Sequence, residues 1–308
     1  MGYGSRVSST PLHDAAPASH EVTANGLRHH VLEWPAEGTP AGGPPIVLLH
    51  GFMDAAGSFD LLAPRLSRAG HRVLAPDLRG FGKTGWVGAG GYYHFWDYIA
   101  DLEGVRAALG LDKMLLVGHS MGGSVTTLYC SAMPERVPAA VLVEGCGPPD
   151  TDPAHQPDRL RRWLRDLEKI KRQDARSIES MDEARERLKS NHTAIPDELL
   201  ATRVVHLVTT NAEGGLEWAF DPLHRTTSPA GFQALLYKAY AARIECPVLY
   251  VGGGPTGFHP TDEAERLAVI KDLEHKELDG AGHMVHWTRP AELAELVLGF
   301  FARRATRA

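Results

Sequence analysis

The sequence predicts an α/β fold with a mostly parallel central sheet, helices on both of its faces and an inserted helical segment. Three observations predict it. Short apolar runs alternate with segments of helical periodicity, which is typical of strand–helix–strand units. The runs are apolar at nearly every position, as strands covered on both faces are. In residues 148–230 the alternation stops and only helical patterns remain, which indicates an insertion between two strands.

The elements before the insertion follow in a regular order. The dipeptide Asn25-Gly26 predicts a tight turn between two hairpin strands. Strands are then predicted at IVLLHG, HRVLAPD, KMLLVG and AAVLVE, and helices at FWDYIADLEGVRAALGL and GGSVTTLYCSAMPERV. Parallel strands that are joined through helices imply right-handed crossovers.

The insertion carries helical signals and no convincing strand. Its first helix has apolar side chains at helical spacing, namely Leu160, Trp163, Leu164, Leu167 and Ile170. The strand pattern resumes at CPVLYVGG, and EHKELDG and the helix PAELAELVLGFFARR follow. We therefore expect a core of residues 20–147 and 231–308, with a helical cap at residues 148–230. Such a cap should lie over the carboxyl edge of the sheet, where open α/β sheets bind their ligands.

Composition and charge argue against several classes of function. The net charge of −6 disfavours a nucleic-acid partner, which usually needs a basic face. No apolar run approaches the roughly 18 residues of a membrane span. The cysteines Cys130, Cys146 and Cys246 are widely spaced, which predicts reduced thiols and neither disulfides nor a metal site. Residues 1–19 lack the apolar centre of a secretory signal, so we expect a flexible leader on a cytoplasmic protein.

The motif GHSMG, from Gly118 to Gly122, is the strongest indication of chemistry. It matches G-x-S-x-G and lies between a predicted strand and a predicted helix, which is the strand–turn–helix that a nucleophile elbow requires. The flanking glycines leave room for a strained turn, and the amides that open the next helix favour developing negative charge. We therefore predict that Ser120 is a nucleophile, in an elbow that includes Gly118, His119 and Gly122.

A second motif, HGFMD, follows the predicted strand IVLL. In a fold with a nucleophile elbow, one oxyanion donor comes from this loop and the other from the residue after the nucleophile. We therefore predict that the backbone N–H groups of Phe52 and Met121 form an oxyanion hole. His50 is predicted to be a hydrogen-bonded scaffold residue and not a base.

The motif GAGHMVHW supplies the candidate base. His283 lies in a glycine-rich loop after the last predicted strand, where the loop can bring an imidazole over Ser120. The chain order serine, acid, histidine also favours His283. His286 competes for the role, but its setting indicates a structural residue.

The chain resembles the α/β-hydrolase fold serine hydrolases of the esterase and lipase type that carry a helical cap. The resemblance spans roughly residues 20–305 and rests on HGFMD, PDLRGFGKT, GHSMGG, EGCGPP and GAGHMVHW. The elbow and the histidine loop are specific motifs, whereas DLRGFG is a scaffold match. For Asp77, Arg79 and Gly82 we expect structural roles.

The acid departs from the pattern of the family. Most such enzymes carry it in a Gly-x-x-Asp pattern after the strand that corresponds to CPVLYVGG, but here Thr256 stands at that position. Asp262 and Glu263 come later and are typical of the first turn of a helix. We therefore predict that Glu144 bonds Nδ1 of His283; the resemblance allows this, since haloalkane dehalogenases and some lactone hydrolases of this fold carry their acid after the same strand. The remaining candidates are Asp150, Asp152 and Asp279.

The resemblance and the elbow together imply a carboxylic ester hydrolase. Haloalkane dehalogenases and epoxide hydrolases of this fold use aspartate at the elbow, so Ser120 argues against both. An acyl-enzyme route fits an ester, a lactone or a thioester of a small apolar molecule, with no cofactor and no metal. Trp163, Trp218 and Phe220 are candidates for an apolar acyl pocket, although such aromatics also occur in plain packing.

Two alternatives stay open. The same fold and triad also support a carbon–carbon bond hydrolase or a cofactor-free haloperoxidase. A non-catalytic ligand-binding protein is the other alternative, and it would gain support if Glu144 faced away from His283. The natural substrate and the oligomeric state are not indicated by the sequence.

Overall fold

The computed structural model describes residues 16–172 and 178–304. Most of the predicted leader therefore lies outside the described residues. Within the described part, an eight-stranded sheet runs in the order β1-β2-β4-β3-β5-β6-β9-β10. Its strands are β1 (Ala18–Ala24), β2 (Leu27–Trp34), β3 (Ile46–Leu49), β4 (Val73–Pro76), β5 (Leu115–His119), β6 (Ala140–Val143), β9 (Val248–Gly252) and β10 (Leu273–Glu277). The pairs β1–β2 and β2–β4 are antiparallel, and the other five neighbouring pairs are parallel. This sheet confirms the predicted fold class.

Helices follow most of these strands. They are α1 (Ala63–Arg68), α2 (Phe95–Ala108), α3 (Met121–Ala132), α4 (Gln156–Arg172), α5 (Met181–Asn191), α6 (Asp197–Leu207), α7 (Ala234–Ala241), α8 (Glu263–Ala268), α9 (Val285–Thr288) and α10 (Pro290–Arg304). None of the helices in the described ranges is both long enough and apolar enough to cross a membrane.

The central strands bury side chains on both faces of the sheet. In β3, Val47 and Leu49 join one apolar cluster, while Ile46 and Leu48 join a second cluster. The first cluster includes residues of α2, α3 and α7, and the second includes residues of α1 and α10. Because strand side chains alternate between faces, a strand covered by helices on both sides must be apolar throughout. This burial explains why the runs in the sequence carry no polar alternation.

The residues between β6 and β9 form helices α4, α5, α6 and α7 and also a short hairpin. Its strands are β7 (Val208–Thr210) and β8 (Leu216–Trp218), so the expectation that this segment has no strand is wrong. Asn211 makes the turn by accepting from the N–H of Gly215 through its side-chain oxygen, and Gly214 has a positive φ of 84°. Strands of three residues are too short to show a period of two in the sequence.

The inserted helices have an apolar cluster of their own, and that cluster reaches the carboxyl edge of the sheet. Leu200 and Val204 of α6 share it with Ala55, which follows β3, and with Met284 and Trp287, which follow His283. An ion pair fixes the same contact. The buried guanidinium of Arg203 bonds both carboxylate oxygens of Asp60, next to the 3₁₀ turn Ala56–Phe59.

The loop after β4 is tied down by buried polar contacts. The carboxylate of Asp77 accepts from the backbone N–H groups of Ala56 and Lys83 and contacts His30 Nδ1. A Cβ at Gly82 would lie 2.1 Å from this carboxylate, so only glycine fits there. Arg79 pairs with buried Asp101. These contacts tie the loop to β2, to α2 and to the residues after β3.

Candidate active site

Ser120 lies in a sharp turn between β5 and α3. Its φ of 52° and ψ of −115° fall in a region that residues other than glycine rarely adopt. The neighbouring glycines are required by space. A Cβ at Gly122 would lie 2.2 Å from the carbonyl oxygen of Leu49, and one at Gly118 would lie 2.3 Å from that of Gly122. The turn therefore has the geometry that the G-x-S-x-G motif predicts.

His283 lies between the predicted nucleophile and the predicted acid. Its Nε2 is 3.0 Å from Oγ of Ser120, and its Nδ1 is 3.1 Å from Oε2 of Glu144. The His283 side chain is 33% exposed whereas that of Glu144 is fully buried. A carboxylate can only accept, so Nδ1 carries the proton and Nε2 offers its lone pair to the serine hydroxyl.

The loop after β9 surrounds the buried carboxylate of Glu144. Oε1 accepts from the backbone N–H of Gly253, and Oε2 accepts from that of Phe258. A Cβ at Gly257 would lie 2.5 Å from Oε1, so the loop can approach this closely only through glycine. These donors offset the cost of burying a charge. Glu144 thus has three partners, of which one is His283.

The other acids named from the sequence bond elsewhere. Glu263 bonds Tyr250 and His259, and Asp262, which precedes α8, pairs with Arg266 of that helix. Thr256 approaches Gly282, which precedes the candidate base. Asp150 accepts from the N–H groups of Thr151 and Ala234, Asp152 accepts from that of Ala154, and Asp279 is exposed at the surface.

The loop after β3 passes directly against the elbow. A Cβ at Gly51 would lie 3.1 Å from Cβ of Ser120. Phe52 follows Gly51 in the chain, and Met121 follows Ser120 and opens α3. In the described part of the chain, neither of these two N–H groups has a hydrogen-bond acceptor. His50 is buried, and its Nε2 accepts from the N–H of Leu78, as expected of a scaffold residue.

A buried polar cluster lies behind the candidate base. His119 Nε2 is 2.9 Å from the carbonyl oxygen of His283, and the ring of His119 lies 4.4 Å from that of His286. His286 Nε2 is in turn 3.2 Å from Oδ2 of Asp54. Burial by itself would raise the pKa of Asp54, but the hydrogen bond from His286 outweighs it and holds that pKa well below its usual range. Burial lowers the pKa values of both cluster histidines.

His259 holds the loop that surrounds Glu144. Its Nε2 is 2.8 Å from the carbonyl oxygen of Gly254, and its Nδ1 is 2.7 Å from Oε2 of Glu263. Both partners accept, so both ring nitrogens must donate. The carbonyl of Gly254 first, and then Glu263, raise the pKa of His259 to about 9. The ring is therefore an imidazolium at neutral pH.

Aromatic and apolar side chains surround the serine. Phe258 makes an edge contact with His283 at 5.5 Å, and Phe52 contacts Phe81, which forms a β-bridge with Phe220. The rings of Trp218 and Phe220 stack with their centroids 6.2 Å apart. Trp163 packs instead against Tyr92, so the three aromatics named from the sequence do not form one group.

Cys146 is buried and does not resemble a nucleophile. Burial, and then the charge of Glu263, raise the pKa of its thiol to about 12. Cys130 and Cys246 are also buried, and all three cysteines are free.

Asp54, Phe258 and His259 were not recognised from the sequence as parts of this region. The missing aspartate after β9 could have pointed to Phe258. A loop that has no carboxylate of its own can donate backbone N–H groups to the carboxylate of another segment, as Phe258 does to Glu144. Asp54 lies in HGFMD, but its partner is separated from it by more than 200 positions, and no local pattern predicts that contact.

Known proteins resemble the chain in sequence and in structure. The model of the alpha/beta hydrolase fold family matches residues 44–290. A serine hydrolase-like protein from Danio rerio is 29% identical over 59% of the chain. Epoxide hydrolase A from Mycobacterium tuberculosis is 27% identical, with 92% of the chain and 97% of that protein covered. A hypothetical protein from Pseudomonas aeruginosa PAO1 has a TM-score of 0.81 at 26% identity, over 92% of the chain and 99% of that structure.

Coverage differs among the curated relatives. The matched segment spans 56% of the Danio rerio protein and 36% of two epoxide hydrolases from Siraitia grosvenorii. The family model nevertheless covers most of the chain, from the strand before HGFMD to the start of the last helix. The sheet order, the elbow and this match agree, and the chain belongs to the alpha/beta hydrolase fold family.

Proposed function

We propose that the protein is a serine hydrolase that cleaves a carboxylic ester, lactone or thioester of a small apolar substrate through an acyl-enzyme. One observation carries the proposal: the imidazole of His283 lies within hydrogen-bond distance of both Ser120 Oγ, at 3.0 Å, and Glu144 Oε2, at 3.1 Å. This geometry fixes the tautomer that can accept a proton from serine.

The proposed reaction has two halves. His283 Nε2 takes the proton of Ser120 as Oγ attacks the carbonyl carbon, and Glu144 stabilises the imidazolium that forms. The N–H groups of Phe52 and Met121 donate to the oxyanion. The tetrahedral intermediate collapses as His283 gives its proton to the leaving group. Water, deprotonated by His283, then attacks the acyl-enzyme and releases the acid.

The surroundings of the serine support an apolar substrate. Phe52, Met53 and Phe258 are between 37% and 48% exposed, and these large side chains lie on the loops beside Ser120. An exposed apolar group at a reactive centre favours an apolar ligand. We propose that residues 148–230 act as the cap over this surface, with Trp218 and Phe220 at its inner side.

The names of several relatives raise epoxide opening as an alternative. The nucleophile argues against it on chemical grounds. Attack by a serine alkoxide on an epoxide carbon forms an ether, which water does not release. An aspartate at the elbow would form an ester, which water does release. Ser120 therefore suits a carbonyl substrate.

The test compares the wild type with Ser120→Ala on p-nitrophenyl esters of increasing acyl length. Loss of hydrolysis in the variant, together with mass-spectrometric labelling of Ser120 by a fluorophosphonate in the wild type, supports the acyl-enzyme. Labelling without ester hydrolysis would favour a lactone or a carbon–carbon substrate. Neither labelling nor hydrolysis would contradict the proposal and favour a binding protein.

A further inference from the structure

Three metal-binding side chains meet in the buried cluster behind His283. One donor atom from each of Asp54, His119 and His286 lies within 4.8 Å of the other two. All three residues are at most 4% exposed. The reaction proposed above requires neither Asp54 nor His286, so the hydrolysis alone does not account for this cluster.

Both imidazoles of the cluster leave one nitrogen without a partner. His119 Nε2 faces the carbonyl oxygen of His283, and His286 Nε2 faces the carboxylate of Asp54. Carbonyl and carboxylate oxygens accept only, so each Nε2 carries the proton and each Nδ1 is a bare lone pair. Both Nδ1 atoms are buried and have no hydrogen-bond partner. The bare Nδ1 of His119 indicates a bound ion or water. Nδ1 of His286 lies on the side of the ring away from Asp54, so His286 can join an ion shared with Asp54 only through Nε2, which would release its proton to the solvent.

We propose that Asp54, His119 and His286 form a binding site for a divalent transition metal such as Zn²⁺. Two imidazole nitrogens and one carboxylate are a ligand set that zinc favours, with water in the fourth position. Gly51 is required beside His119, since a Cβ there would lie 2.9 Å from Nδ1. The negative charge of Asp54 complements a dication.

The cluster lies next to the proposed base of the reaction. His283 is one-third exposed, and its ring lies 4.9 Å from that of His119. The proposed metal binding does not rest on the proposed function.

Equilibrium dialysis with Zn²⁺ alone tests the binding in a Ser120→Ala background. We expect one Zn²⁺ per chain, and an affinity that falls at least roughly tenfold when His286→Gln is added. The matched control is His259→Gln, which removes another histidine that is bonded to a carboxylate and should leave binding unchanged. A chain that binds no Zn²⁺ overturns the proposal.

Two further measurements separate this site from its rivals. His283→Ala retains Zn²⁺ if the ion lies in the cluster; loss of binding would place the ion at the reactive histidine and overturn the proposal. If His286→Gln does not fold, as judged by circular dichroism, Co²⁺ added to the folded Ser120→Ala protein decides. The visible bands of a tetrahedral site support the cluster, and an octahedral spectrum contradicts it.

Ester hydrolysis by the metal-free wild type separates the metal site from the proposed function. If one Zn²⁺ binds and no ester is cleaved even in its absence, the metal site stands and the proposed function fails. If esters are cleaved and no Zn²⁺ binds, the proposed function stands and the metal site fails.

Discussion

Replacement of Glu144 by glutamine tests the proposed role of the acid most directly. The two side chains have the same shape, so the change removes a charge and exchanges one acceptor for a donor. In the structure, all three groups that face the carboxylate are donors: the N–H groups of Gly253 and Phe258, and Nδ1–H of His283. A glutamine must therefore direct its NH₂ group at one donor or more, whichever way it is turned.

The magnitude follows from the two orientations. If the NH₂ group takes the place of Oε2, His283 must lose its Nδ1 proton and carry one on Nε2, which then cannot accept from Ser120. If it takes the place of Oε1, the imidazolium loses its counter-charge and Gly253 faces a donor. The wrong tautomer costs about 10⁴ in kcat in the best-studied triad, which equals about 5 kcal/mol of barrier. We expect a loss of about 10³ to 10⁴ for Glu144→Gln, with KM changed much less.

Initial rates on a p-nitrophenyl ester, and the rate at which a fluorophosphonate labels Ser120, measure this loss in parallel. The labelling rate needs no knowledge of the natural substrate. Asp279→Asn is the control, because Asp279 is exposed and was a rival candidate for the acid. Urea unfolding shows whether the variant is folded. A Glu144→Gln protein that is folded and retains a tenth or more of the wild-type rate would refute the argument.

Three further predictions concern the surroundings of the site. Gly257→Ala should lower the hydrolysis rate at least about tenfold, because the added Cβ would lie 2.5 Å from the buried carboxylate of Glu144. The control Gly88→Ala adds a Cβ with no atom within 4 Å and should leave the rate unchanged. The hydrolysis rates of the two variants test this prediction. The pKa of His259 is raised to about 9, so the stability that its charged form contributes is complete below about pH 6.5 and is lost as the pH rises through 9. The melting temperatures of the wild type and of His259→Gln should therefore converge above pH 9. A difference that stays constant with pH would contradict this. Asp60→Asn should lower the free energy of unfolding in urea by about 3 kcal/mol, because it leaves the guanidinium of Arg203 buried without its carboxylate. The double variant Asp60→Asn, Arg203→Leu should regain part of this loss.

The sequence was sufficient for the sheet and for the elbow because both depend on local patterns. Strands β3, β5, β6 and β9 are apolar on both faces, and a buried strand of this kind is visible in any sequence. The motif around Ser120 is visible because its residues are consecutive in the sequence, even though Gly122 is required by its contact with Leu49 on β3. The fold class was accordingly confirmed.

Contacts between distant segments could not be predicted in the same way. The pairing of Asp54 with His286 depends on two loops from opposite ends of the chain. The hairpin of β7 and β8 was missed because three-residue strands carry no usable period. The loop around Glu144 was noticed only as the absence of an aspartate. Its function there is carried by backbone N–H groups, which every residue type except proline has, so no side-chain pattern marks them.

The position of the proposed acid follows from the register of the sheet. Ser120 follows β5 and Glu144 follows the adjacent strand β6, and their φ values are 52° and 51°. Each donates its N–H to a carbonyl oxygen near the end of the next strand, Ser120 to that of Val143 and Glu144 to that of Val251, both at 2.9 Å. The two residues therefore occupy equivalent positions one strand apart at the carboxyl edge, and both have a positive φ that non-glycine residues rarely adopt.

This equivalence explains how an acid after β6 can replace one after β9. Two strained residues on neighbouring strands place a hydroxyl and a carboxylate at one edge, about one strand spacing of 4.8 Å apart before their side chains diverge. An imidazole brought between them by the loop after β10 can then meet both. The loop after β9 does not need a carboxylate of its own in this arrangement; it needs glycines and free N–H groups that can close around Glu144, and Gly253 and Gly257 meet that requirement. Strain of this kind persists only where the surrounding contacts hold it, so both turns should resist substitution more than the strands that precede them.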